Sequence, residues 1–130
     1  MASVNDVQWT FFQNLGTFLS FVRDHLPNLW TCRGRTLWRD PKLQLLYDFQ
    51  DELCGTKQIT NTQESQHELG LAIDIDFFYD GDYIREPTAE QQTTLFHLGE
   101  FWKSLHPQNK YGGDWPRLRD WGHFEMRVED

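Results

Sequence analysis

The chain is poor in cysteine, poor in positive charge and without a long apolar run, and each shortage removes a class of protein. Two cysteines, Cys32 and Cys54, are too few for a disulfide framework and form no Cys-x-x-Cys motif, so both thiols are expected to stay reduced. Twelve Lys and Arg face 20 Asp and Glu, a formal net charge of -8. A surface of that sign repels phosphates, so no nucleic acid is expected as a partner. Adhesion to anionic membranes or walls by charge alone is disfavoured for the same reason. No apolar run approaches the ~20 residues of a spanning helix, so no stable membrane insertion is expected. The start, Met1-Ala2-Ser3-Val4-Asn5-Asp6, has neither the basic nor the apolar region of a secretory signal, and a cytoplasmic location is expected.

What is present suits one domain, residues 1–130, with a core of its own and a monomeric state. Aromatics reach 15%, so rings should dominate that core. Val7, Phe11, Leu15, Phe18, Leu19, Val22 and Leu26 recur at helical spacing, which predicts a helix from Val4 to Leu26. Ser3 and Asp6 form a capping box at its start. Leu29 to Cys32 reads as a short strand, followed by a basic turn, Arg33-Gly34-Arg35-Thr36. Asp40-Pro41 opens a second helix that runs to about Cys54 and stops at Gly55. Thr56 to Gln66 is polar and aperiodic, hence a loop.

Leu71 to Tyr79 alternates: Leu71, Ile73, Ile75 and Phe77 on one face, Ala72, Asp74, Asp76 and Phe78 on the other. That is a strand, with Asp80-Gly81-Asp82 as its turn. Thr88 to Leu105 reads as a third helix with a Thr88/Gln91 capping box. Tyr111-Gly112-Gly113-Asp114 is a turn, and Gly122 to Val128 a final strand with His123 and Glu125 on one face. Short connections favour an α+β fold: a small antiparallel sheet with helices packed against it, the site on the sheet face.

Two clusters carry chemistry: Ser65-Gln66-His67-Glu68-Leu69-Gly70-Leu71-Ala72-Ile73-Asp74, and Asp120-Trp121-Gly122-His123. Two imidazoles and a carboxylate (His67, His123, Asp74) suffice to hold a catalytic zinc ion with one position left for water. A second carboxylate outside the ligand set would act as general base, and Asp120, three residues before His123, is placed for it. Asp76 shares a face with Asp74 and is an alternative ligand or a supporting residue. Glu125 shares a face with His123 and is placed to orient a ligand. Trp115 and Trp121 flank this turn.

The Ser65-to-Asp74 string, the Asp120-x-x-His123 pair and the intervening Leu98-Gly99-Glu100-Phe101-Trp102 resemble the zinc peptidases that include D-alanyl-D-alanine carboxypeptidases and phage L-alanyl-D-glutamate endopeptidases. Tyr111-Gly112-Gly113-Asp114-Trp115 and His123-Phe124-Glu125 are similar to the phage branch. The resemblance implies zinc on His67, Asp74 and His123, with Asp120 as base and proton shuttle. It implies that Arg35 neutralises an oxyanion or holds a substrate carboxylate, with Arg33 a competitor for that role, and that Ser65 hydrogen-bonds substrate. The implied substrate is a peptidoglycan stem peptide, cut between L-Ala and D-Glu by a phage endolysin. That enzyme would accumulate in the host cytoplasm and act on the periplasmic wall after release. A D-Ala-D-Ala carboxypeptidase or dipeptidase is the nearest alternative. A zinc-containing binding module without catalysis is a further one.

Overall fold

The computed structural model describes residues 3–36 and 71–127. The expected second helix, the loop after it, and with them Ser65, His67 and Cys54 lie outside the described residues. Within them two helices pack on one five-stranded antiparallel sheet, as the α+β reading requires.

Helix α1, Val4–His25, begins where Ser3 Oγ accepts the Asp6 backbone N–H and Asp6 reaches back to the Ser3 N–H. Its apolar stripe buries Phe11, Leu15, Phe18 and Val22. Strand β1, Trp30–Thr36, runs through the Arg33-Gly34-Arg35-Thr36 stretch expected to be a turn. Charge and glycine made that stretch look like a turn. It stays extended because both arginines find a carboxylate on the neighbouring strand β2, Ala72–Tyr79. A tight turn at Asp80-Gly81 (φ 48° and 85°) leads to the two-residue strand β3, Asp82–Tyr83.

Helix α2, Ala89–Ser104, is capped by Thr88 and Gln91 as expected and buries Leu95, Leu98 and Trp102. Strand β4, Asn109–Tyr111, was not expected. Tyr111 ends this strand, so only Gly112–Asp114, a single 3-10 turn, fits the turn expected from Tyr111 to Asp114. Strand β5, His123–Met126, completes a sheet ordered β1-β2-β5-β4, with β3 on β2.

The sheet has two unlike faces. Ile73, Ile75, Phe77, Phe124 and Met126 belong to the hydrophobic core with the two helices. Asp74, Asp76, His123 and Glu125 alternate with them and are buried as well. Trp102 ties the helical layer to the sheet. It is fully buried, meets Phe11 and Phe18 edge-on, and its indole N–H is shared by the carbonyls of Lys110 and Glu125, each at 3.1 Å. The helix under the sheet thus grips the backbone of the strand that carries His123.

Candidate metal centre

Asp74 and His123 meet because β2 and β5 pair in a register that sets them directly opposite, with Ala72 opposite Glu125. His123 Nδ1 lies 2.9 Å from Asp74 Oδ1, and Nε2 lies 2.9 Å from Glu125 Oε1. The other Glu125 oxygen accepts Arg127 Nε at 3.1 Å. His123 and Glu125 are both fully buried. Burial alone would strip the charge from His123, but the Asp74 and Glu125 carboxylates prevail and push its pKa up to about 9 in the metal-free protein. Burial likewise raises Glu125, and the hydrogen bonds from His123 and Arg127 outweigh it, so its pKa is lowered.

Asp120 is delivered by the turn that enters β5. Its backbone N–H donates to Gly112 O (3.1 Å), its carbonyl accepts from His123 N (3.2 Å), and its Oδ1 accepts from Gly122 N at 3.4 Å. Gly122 is needed for close approach. Its carbonyl accepts the Ile75 N–H at 2.8 Å, and a Cβ there would collide with the Ile75 carbonyl oxygen. That contact pins the turn to β2 one residue beyond Asp74.

The result is a cluster of Asp74, Asp120 and His123 whose ligand atoms all lie within 4.8 Å of one another. Two carboxylate oxygens and an imidazole nitrogen are a donor set that suits zinc. The outer partner fits too. When Nε2–H donates to Glu125, the Nδ1 lone pair is left facing Asp74, the arrangement in which a buried carboxylate orients a metal-binding imidazole. Of the sequence-predicted ligands, then, Asp74 and His123 come together with the predicted base Asp120, while His67 lies outside the described residues. Glu125→Gln is expected to weaken zinc binding by roughly 10–100-fold, the usual effect of losing such a partner. Competition with a chromogenic chelator measures this, and wild-type affinity in that variant would remove Glu125 from the role.

Asp76 is not part of this cluster. Arg35 Nε and Nη2 donate to its Oδ1 at 3.0 and 2.7 Å, and Arg33 Nε donates to its Oδ2 at 3.2 Å. Burial pushes the Asp76 carboxyl up, yet the two guanidiniums hold it below the usual range, so it serves as their anchor and not as a ligand. Pairing steps from Gly34 opposite Ile75 to Thr36 opposite Asp74, which makes Arg35 the extra residue of a β-bulge. The bulge directs Arg35 into a pocket that Asp120 also lines. Arg33 instead lies over the Phe78 ring, 5.3 Å from its centroid, outside that pocket. Trp115 stands 5.2 Å from the His123 ring, and Trp121 lines the pocket beside Asp120. Two further pocket residues, Arg85 and Arg119, carried no signal in the sequence.

The fold and the cluster together define an α+β protein with a carboxylate–imidazole centre of the kind that holds a divalent cation. Residues 58–126, just over half of the chain, match the family model described as D-alanyl-D-alanine carboxypeptidase, in peptidase family M15. The chain belongs to that family, in agreement with the resemblance read from its motifs. No curated protein sequence matches it at a significant level. Among solved structures it is similar to the L-Ala D-Glu endopeptidase ChiX of Serratia marcescens, with 19% identity and a TM-score of 0.49. That similarity covers 74% of this chain and 66% of the other, so the chain spans less than two thirds of that protein's length.

Proposed function

We propose that this chain is a zinc-dependent peptidase of peptidoglycan stem peptides that cuts between L-Ala and D-Glu, in the manner of a phage endolysin. The observation that carries the reading is the convergence of Asp74, Asp120 and His123, backed by the buried Glu125. Asp74 and His123, with His67 as the third donor, would hold the ion. When bound, zinc supplies Lewis acidity for the scissile carbonyl and acidifies a water molecule at neutral pH.

The chain's own residues do the rest. Asp120 is half-buried and reachable from the pocket. It takes the proton from the attacking water and passes it to the departing amine, so one carboxylate serves as base and then as acid. Arg35 is held protonated, chiefly by its hydrogen bonds to Asp76, and presents a fixed positive charge beside Asp120. There it offsets negative charge developing on the carbonyl oxygen. The phage-branch strings Tyr111 to Trp115 and His123 to Glu125 support the endopeptidase over the carboxypeptidase.

Digestion of purified peptidoglycan with zinc-loaded protein, followed by mass spectrometry, tests the reading. New N-terminal D-Glu is the expected product. Release of D-Ala alone would replace the endopeptidase with a carboxypeptidase. Absence of any product despite bound zinc would leave a binding module.

A further inference from the structure

The pocket that Asp120 and Arg35 share is also lined by Arg85 and Arg119, so three exposed arginines border a cavity of about 110 Å³. This concentration of positive charge is unusual in a chain of net charge -8 and only 12 basic residues. The floor is apolar, made by Ile75, Phe77 and Leu95, all buried. Among the described residues Asp120 is the one carboxylate that lines it.

The three cations are not equivalent. Arg35 is committed to Asp76. Arg119 donates to Gly113 O at 3.1 Å and stacks near Trp121 and Phe96, with its guanidinium carbon 5.5 and 6.0 Å from the ring centroids. Those contacts fix where its remaining N–H groups point. Arg85 makes no hydrogen bond or ion pair among the described residues, and it reaches the pocket from the segment just after β3. An unpaired guanidinium beside an apolar floor matches one ligand chemistry: a short methylene stem ending in, or flanked by, a carboxylate.

We propose that Arg85, supported by Arg119, binds a carboxylate on the substrate residue next to the scissile bond, so that the enzyme selects an acidic residue there. This rests on the peptidase reading above and deepens it. The apolar floor takes the stem of that residue, and the arginines take its charge. A stem peptide whose D-Glu carries a free α-carboxylate is then preferred over the same peptide with that group amidated.

Two synthetic stem peptides, alike except for carboxylate or carboxamide at that position, provide the test with the zinc-loaded full chain. The wild type is expected to favour the carboxylate peptide by at least about tenfold in kcat/KM, mainly through KM, as a charge-assisted hydrogen bond implies. Arg85→Gln should bring the ratio near one. Arg117→Gln, a cation outside the pocket, should leave the ratio intact. Equal cleavage of both peptides by the wild type, or an undiminished preference in Arg85→Gln, overturns the proposal. Calorimetric binding of the same two peptides separates this from failure of the peptidase reading. Carboxylate-dependent binding that Arg85→Gln abolishes upholds the pocket even if neither peptide is cut. Equal binding of both peptides overturns it.

Discussion

Asp120→Asn is expected to keep the fold, to take up zinc in the wild-type amount, and to hydrolyse peptidoglycan roughly 10²–10⁴-fold more slowly, the usual scale for losing a positioned acid–base group. Asparagine retains an oxygen that can accept the Gly122 N–H, so the turn into β5 survives. It cannot take a proton from water at neutral pH, and the step that depends on that transfer is lost. Metal content and turnover must be measured on the same preparation, because the cluster leaves a second arrangement open. The Asp120 oxygen lies within 4.8 Å of the Asp74 and His123 donors, so it is close enough to be a ligand itself. A variant that loses zinc and activity together would make Asp120 a ligand. A variant that keeps both would send the search for the base elsewhere.

His123→Ala should have the other large effect, and it should act twice. The ion loses a donor, so stoichiometric zinc should disappear on dialysis. The metal-free fold should also weaken by about 3 kcal/mol, the low end of the range for breaking a buried charge pair. The reason is Glu125, fully buried and left with Arg127 alone once the imidazole is gone. Denaturant unfolding of the metal-free proteins measures the gap. The gap should depend on pH with a definite sign. The folded-state pKa of His123, about 9, lies above its unfolded value near 6.5. Its stabilisation is therefore complete below the unfolded value and fades as pH rises through the folded one, so the gap should narrow between pH 6 and pH 9.5. Removing Glu125 as well, as His123→Leu with Glu125→Leu, should recover stability without recovering zinc. A gap that is constant across this pH range would mean that the imidazole charge contributes nothing to the fold.

The parts of the molecule governed by local rules were legible in the chain. Both described helices declared themselves through capping boxes, the first also through its apolar period, and β2 through strict alternation. That Asp74, Asp120 and His123 would come together was legible because motif and chemistry pointed to the same three side chains. The misses have a common physical cause, which is long-range compensation. Arg33 and Arg35 read as turn residues until Asp76, more than 40 positions away, pairs with both. Strand β4 has three residues, too few for any period. It is held by its pairing with β5 and by the Trp102 indole on Lys110. Arg85 and Arg119 belong to no motif, and only the closing of the pocket brings them beside Asp120.

The pairing of β2 with β5 sets an order of events for the newborn protein. Asp74 and His123 are 49 positions apart and become neighbours only when those strands zip together. Until then Asp74 and His123 offer a cation no fixed pair of donors, only separate, hydrated side chains. On the proposed reading, metal capture would therefore follow sheet assembly. On the proposed reading, the chain would gain its activity only after β2 and β5 have paired.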